Sequence, residues 1–303
     1  MKAVLIAFSL WCCLRGLCLA QGEQDNWNPV TPGPATTWTA TLCGKGKFVI
    51  QPFIFDNITR GIFNDQGHYE ALPHGNKKSQ LQEQLFTQYG ITDRLEIDAL
   101  TVYQENFIKQ DVLKAKSQGF EDSHLIGRYC LLEAAGLCPH VTGLVGLKVP
   151  TGKYQHANPD KFGTDLMGAI SGGGSWDPEV GIIIEEKLKP FLVHFDAIYS
   201  FPQEVSVDEV KTKYSNYLNY DVGVEYVLPR GFNLMVELNG FAQGDRWQDG
   251  ARMPLTDIKS LTFAPGIGWS NDKIQILLAY QRVFAGTNTD ANDSVVATFI
   301  YTF

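Results

Sequence analysis

The sequence predicts an all-β protein, a transmembrane antiparallel up-and-down β-barrel of about twelve strands. Three observations predict this fold. Apolar and polar side chains alternate with a period of two along successive segments. Short and long connections alternate between those segments. After the first twenty residues there is no run of about 18 apolar residues, so a transmembrane helix is not predicted. Only helices and closed barrels satisfy their backbone hydrogen bonds in lipid, so alternating strands favour a barrel.

The first twenty residues have the features of a secretory signal peptide. Lys2 gives a positive start, Ala3 to Leu14 are mostly apolar, and Cys18-Leu19-Ala20 offers a cleavage site after Ala20. A lipoprotein start at Cys18 is the alternative, but Arg15 and its neighbours fit that site poorly. We therefore expect residues 1–20 to be removed on export.

Residues 21–45 are rich in Pro, Thr, Asn and Gly and predict an irregular N-terminal periplasmic arm or plug. The barrel is then expected over residues 46–303. Three cysteines remain after signal cleavage, which are Cys43, Cys130 and Cys138. Cys130 and Cys138 could close a short loop in an oxidising compartment, although their spacing alone does not establish a bond. The sequence has no paired Cys/His arrangement for zinc, and no metal or cofactor is predicted.

The alternation is strongest in the last segment, where Val295, Ala297 and Phe299 fall on one face and Val296, Thr298 and Ile300 on the other. Strands of about 9 to 11 residues with this pattern suit a tilted barrel wall. The predicted strands are 46–55, 80–90, 94–106, 122–132, 141–150, 178–187, 190–201, 215–227, 232–242, 260–269, 273–282 and 294–303.

The connections support the barrel further. Short joints are predicted at 90–93, 188–189, 228–231 and 270–272, and long joints at 56–79, 107–121, 151–177, 202–214, 243–259 and 283–293. This alternation is typical of an outer-membrane barrel with short periplasmic turns and long extracellular loops. The joint at 133–140 is longer than that pattern predicts.

Several short motifs occur in an order that is similar to one family of outer-membrane proteins. They are Tyr89-Gly90-Ile91-Thr92-Asp93-Arg94-Leu95-Glu96, Asp122 to Tyr129, Leu147-Lys148-Val149-Pro150-Thr151-Gly152 and Trp176-Asp177-Pro178. The chain resembles the outer-membrane transporter family named for the MetA (meta-cleavage) pathway of phenol degradation. The resemblance covers most of the mature chain. It implies a channel in the bacterial outer membrane for passive passage of small solutes, aromatic or other small organic compounds among them.

The predicted register assigns an acidic set of side chains to the barrel lumen, where a polar interior would favour cations or neutral solutes. A network of ion pairs that fills a narrow lumen is the alternative interpretation. The last strand also resembles the terminal signal read by the barrel-assembly machinery, carried by Phe299, Tyr301 and Phe303. The predicted pore-lining residues are Glu96, Asp98, Arg128, Lys148, Glu185, His194, Asp196, Asp221, Glu225 and Glu237.

Two other functions are weighed against the channel. One is a structural or adhesive barrel with a closed lumen. The other is an outer-membrane hydrolase using His194, Asp196 and Ser200, which is disfavoured because Ser200 lies about 20 Å along a strand from His194. No catalytic residue is therefore predicted. The expected partners are the lipid bilayer, the barrel-assembly machinery and a small-molecule solute. The net charge of −8 argues against nucleic acid.

Overall fold

The computed structural model describes residues 27–110, 113–134, 138–152, 174–207 and 210–303. The predicted signal peptide, residues 21–26 of the predicted arm and residues 153–173 of the long joint predicted at 151–177 lie outside these residues. Within the described ranges, no helix is long and apolar enough to cross a membrane.

Eighteen strands and one short 3₁₀ turn, Pro229–Gly231, make up the regular structure of the described residues. Six of the strands are short or lie in loops. In chain order the strands are β1 (Phe48–Phe63), β2 (Tyr69–Ala71), β3 (Lys77–Thr92), β4 (Leu95–Gln110), β5 (Leu113–Phe120), β6 (Ser123–Leu132), β7 (His140–Val149), β8 (Asp177–Leu188), β9 (Phe191–Ser200), β10 (Val205–Val207), β11 (Val210–Lys213), β12 (Tyr217–Val227), β13 (Phe232–Gln243), β14 (Trp247–Gln248), β15 (Ala251–Arg252), β16 (Ile258–Ser270), β17 (Ile274–Thr287) and β18 (Thr289–Thr302).

Twelve of these strands form a closed antiparallel barrel. They pair in the order β1, β3, β4, β6, β7, β8, β9, β12, β13, β16, β17 and β18. The last strand then pairs with the first, with Phe53 opposite Thr298 and Phe63 opposite Thr289. Closure satisfies the backbone groups of both edge strands, which is the condition for crossing lipid with strands. The predicted fold class is thus confirmed.

The alternation places apolar side chains on the outside of the wall. Ile97, Leu125, Val145 and Leu278 point outward and are about half exposed, as expected for side chains that face acyl chains in the membrane. Their strand neighbours point into the lumen and are largely buried. Aromatic side chains near the strand ends of a membrane barrel are expected to face the two interfaces, but Tyr217 does not. It shares the inward face of β12 with Asp221 and Glu225, and its hydroxyl donates to Glu179.

All twelve predicted strands occur, in the predicted order, but several extend further at the loop end. The largest correction concerns the long joint expected at 283–293. Strands β17 and β18 instead continue to Thr287 and from Thr289. Asn288 alone makes the turn, because it adopts a left-handed conformation with φ 48°.

The remaining six strands lie at the loop end of the barrel. β2 pairs with the end of β1, and β5 pairs with the extension of β4 beyond the barrel. The loops after β9 and β13 form a separate four-stranded sheet from β10, β11, β14 and β15. The other end of the barrel carries the short turns and, by the rule for these barrels, faces the periplasm.

Candidate functional site

Residues 28–45, called the plug from here on, lie inside the periplasmic half of the lumen. Near one end of the plug, the Val30 carbonyl accepts a hydrogen bond from Ser270, at the turn end of β16. Near the other end, the Lys45 N–H donates to Asp93 in the β3–β4 turn. Between them, residues 35–38 reach the middle of β13 and β9. The plug therefore enters and leaves through the turn end and bends back at mid-barrel.

Glu237 of β13 holds the top of the plug. Its carboxylate accepts the backbone N–H groups of Ala35 at 2.6 Å, Thr36 at 3.0 Å and Thr37 at 2.9 Å. The hydroxyls of both threonines donate to the same carboxylate. Glu237 is fully buried, and charge-assisted hydrogen bonds are stronger than neutral ones. These five donors give the buried negative charge the compensation that burial requires.

Four more wall carboxylates bind the plug at other points. Asp196 accepts the Trp38 N–H at 2.8 Å, and Glu96 accepts the Cys43 N–H at 2.6 Å. The hydroxyls of Thr41 and Thr31 donate to Glu185 and Glu225, respectively. An irregular segment cannot pair its own N–H groups, and the buried acids of the wall supply acceptors instead.

Arg128 of β6 is a cationic wall residue that also contacts the plug. Its guanidinium forms ion pairs with Glu96 and with Asp98, the latter at 2.7 Å. It also donates to the Thr39 carbonyl at 2.9 Å and lies over the Trp38 ring. Arg128 is almost fully buried, so its charge is balanced within this cluster rather than by water.

His194 of β9 belongs to a second buried network. Its Nε2 lies 2.8 Å from Glu225, which also accepts the side-chain amide of Asn233. Ser200 donates to Glu179 instead, and Asp196 accepts from the plug. The three residues considered for hydrolysis thus have three different partners and form no nucleophile–base pair with one another.

Two acids of the wall face each other without a basic side chain between them. Asp196 of β9 lies directly opposite Asp221 of β12, and Asp221 lies directly opposite Asn239 of β13. This row sits at the level of the top of the plug, since Glu237 is two residues from Asn239. Like charges at opposite positions repel, so this row places two mutually repelling acids in the lumen.

The outer half of the lumen contains ion pairs that do not involve the plug. Lys148 lies 2.6 Å from Asp177 and 3.3 Å from Asp122. Glu179 interacts with His124 and accepts the Ser200 hydroxyl. Asp122, Asp177 and Glu179 were missed by the sequence analysis. The last two lie at the start of β8, where alternation with Glu185 would have placed them inward.

All ten predicted lumen residues point inward and are buried. The lumen is not uniformly polar, however, and this corrects the expectation. Ala35 packs against Phe55, Met235 and Leu277 in one apolar cluster, while Ala40 and Trp38 pack in another. These inward apolar side chains contact the plug rather than water, which is why they do not follow the polar pattern of a water-filled barrel.

Two wall glycines allow the plug to approach closely. A Cβ atom on Gly223 would lie 2.9 Å from the ring of Pro34, and one on Gly90 would overlap the Gly44 carbonyl. Only glycine permits such contacts. The wall therefore fits the plug in shape as well as in the placement of its charged side chains.

A cavity of about 640 Å³ lies between the plug and the wall. Its lining combines aromatic and polar side chains, among them Phe53, Phe86, Gln84 and His194. Ligand sites for small organic molecules commonly show this combination. Burial and the neighbouring Glu96 carboxylate raise the pKa of the Cys43 thiol, which lies at its edge, to about 12. Within the described residues Cys43, Cys130 and Cys138 are all free thiols.

No protein-family model matches the sequence, and no curated protein matches it. Among solved structures, the chain is similar to an outer membrane channel from Pseudomonas putida F1, with a TM-score of 0.70 and 17% identity over 90% of this chain and 100% of that chain. The β domain of the Bordetella autotransporter BrkA is more distant, with a TM-score of 0.48 and 11% identity over 86% of this chain and 100% of that chain. The translocator domain of the autotransporter NalP from Neisseria meningitidis has a TM-score of 0.47 and 12% identity over 86% of this chain and 89% of that chain.

At these identities the likeness shows the fold. The closed antiparallel wall, its outward apolar band and the similar barrel from Pseudomonas putida F1 define the class, a bacterial outer-membrane β-barrel associated with the lipid bilayer.

Proposed function

We propose that the barrel is a channel for passive passage of small organic solutes, and that solutes pass when the plug leaves its seat in the lumen. The observation that carries this proposal is the way in which the wall binds the plug inside the lumen. The plug is irregular, and polar contacts to Glu237, Asp196 and Glu96 anchor it along its length. These groups can bind water instead, so displacement of the plug replaces its polar contacts with hydrogen bonds to solvent rather than leaving the wall groups without partners.

The chemistry of the lining supports the class of solute. The cavity beside the plug places Phe53, Phe86 and Trp38 next to amide, imidazole and guanidinium groups. Aromatic rings offer stacking surface, and the polar groups offer hydrogen bonds to hydroxyl or amine substituents. The row of Asp196 and Asp221 favours neutral or cationic solutes over anions. This agrees with the resemblance to a transporter family linked with aromatic degradation.

A barrel with a permanently closed lumen is the second candidate function, favoured by the plug and the buried ion pairs around Arg128. It requires the plug to be a fixed part of the core. In that case passage would be blocked in the intact protein, and the loop sheet of β10, β11, β14 and β15 would carry the function.

Liposome swelling separates the two functions. The mature chain and a variant without residues 28–43 are reconstituted, and the influx of phenol-sized neutral, cationic and anionic solutes is compared with that into empty liposomes. We expect the mature chain to admit neutral and cationic aromatic solutes, with faster influx in the deletion variant. Influx equal to that of empty liposomes for the mature chain, with influx in the deletion variant alone, would favour the closed barrel.

A further inference from the structure

Three lysines form a row across neighbouring strands on the outside of the barrel extension. Lys77 of β3 lies directly opposite Lys109 of β4, which lies directly opposite Lys114 of β5. Lys116 of β5 lies two residues further along, opposite Phe107. Opposite residues of an antiparallel pair share a face. That face is the outer one, because the adjacent Lys78 reaches Asp290 on the inner side.

The four lysines have no ion-pair partner among the described residues. Among the described residues of β3, β4 and β5, the acid nearest to the row on this face is Glu105, one row beyond Lys116 towards the barrel, where it faces Leu81 and Gln118. Like charges at opposite positions of a sheet destabilise it, and a bound polyanion would remove this repulsion.

The position of the row along the barrel indicates where the polyanion lies. Tyr103 and Phe120 contact each other on the outer face near the loop end, with ring centroids 5.2 Å apart. Aromatic rings at this position favour the interface between lipid and water. Lys116 and Lys114 are four and six residues beyond Phe120, which is roughly 13–20 Å along the strand. The lysines therefore project above the hydrocarbon at the loop end. In a bacterial outer membrane this layer contains the phosphorylated sugars of lipopolysaccharide.

We propose that Lys77, Lys109, Lys114 and Lys116 form a binding surface for the phosphorylated sugars of outer-leaflet lipopolysaccharide. Lysine ammonium groups bind phosphate as mobile point charges, so a row of them fits several phosphates without one fixed geometry. Binding would remove the repulsion within the row and fix the β4–β5 extension against the membrane. The proposal does not depend on the function of the lumen.

The test compares binding of rough lipopolysaccharide with a phosphorylated inner core to purified protein in neutral detergent. The cluster variant carries Lys77→Gln, Lys109→Gln and Lys114→Gln. The control variant has the same charge change at the turn end, through Lys45→Gln, Lys47→Gln and Lys273→Gln. We expect about 100-fold weaker binding for the cluster variant, since each lysine near an anionic lipid surface contributes roughly fivefold. The control variant should bind like the unmodified protein.

Two further arms identify the ligand. Dephosphorylated lipopolysaccharide should bind the unmodified protein as weakly as intact lipopolysaccharide binds the cluster variant. Inorganic phosphate alone should not compete at matched phosphate concentration. Equal binding by cluster variant and control, or equal binding of the dephosphorylated form, would overturn the proposal, and so would full competition by inorganic phosphate. If the cluster variant does not fold, Lys109→Gln, in the middle of the row, should still weaken binding about fivefold.

Discussion

At the residue scale, the buried carboxylates of the lumen are compensated by two kinds of partner, donors of the plug and Arg128. The charge of Glu237 is compensated by backbone N–H and hydroxyl groups of the plug. Glu96 is compensated by the Cys43 N–H and by Arg128, and Asp98 by Arg128. Alternation alone was enough to assign all of them to the inner face. Their partners in the plug were not predictable, because these partners lie up to 202 positions away in the chain and no local pattern links them.

Replacing Glu237 with Gln should release the plug more often. The amide keeps one acceptor but loses the charge that five donors share, and charge-assisted hydrogen bonds contribute about 1.5–3 kcal/mol each. The measurement is maleimide labelling of Cys43, with Cys130 and Cys138 replaced by Ser. The raised pKa keeps that thiol protonated and slow to react in the seated plug, so labelling should accelerate in the variant.

Glu105→Gln is the matched control for this prediction, because Glu105 is an exposed acid on the outer face of β4. It should label at the unmodified rate. If Glu237→Gln also labels at that rate, Glu237 does not hold the plug.

Replacing Arg128 with Met should destabilise the barrel by about 3–5 kcal/mol, because it leaves Glu96 and Asp98 buried without their cation. The free energy of unfolding in urea, measured in lipid vesicles, tests this. Arg94→Met is the control, since the Arg94–Glu133 pair is exposed to solvent and should contribute little to stability. Adding Glu96→Gln and Asp98→Asn to Arg128→Met should recover most of the loss. If these substitutions do not recover stability, Arg128 does not stabilise the barrel by compensating the charges of Glu96 and Asp98.

At the element scale, the twelve wall strands were predictable because a wall between lipid and lumen imposes a period of two on every strand. The extensions beyond the membrane were not, since β5 and the outer ends of β1 and β4 have no apolar layer to face. The last hairpin shows the same limit. The sequence predicted a loop over residues 283–293, yet residues 289–293 pair with β1.

Deleting Phe303 should impair barrel assembly more than it impairs the assembled protein. Its N–H donates to Phe48 and its ring contacts Phe48 and Tyr301, so it ends the seam where β18 meets β1. We expect less folded protein in the outer membrane, measured by heat-dependent gel migration, with normal solute influx per folded barrel. Phe232→Ala removes an exposed aromatic ring at the same end and should leave the amount unchanged. Normal amounts after deletion of Phe303 would rule out its role as an assembly signal.

At the scale of the whole molecule, the protein is a lipid-facing cylinder whose periplasmic half is filled by its own N-terminal segment. The composition of residues 21–45 predicted an irregular arm or plug but could not place it, because such a segment has no periodicity that reports its surroundings. The mixed lining follows from this position. Wall residues are apolar where they pack against apolar plug side chains and acidic where they accept N–H or hydroxyl groups of the plug.

The most direct measurement is single-channel conductance with the plug locked and unlocked. Ala40 and Thr142 are both fully buried, and the Thr142 hydroxyl donates to the Ala40 carbonyl at 2.7 Å. Ala40→Cys with Thr142→Cys, in a background with Cys43, Cys130 and Cys138 replaced by Ser, allows a disulfide between plug and wall. We predict little conductance when this variant is oxidised and the conductance of the background when it is reduced. The same conductance in both states would contradict a channel that opens by movement of the plug.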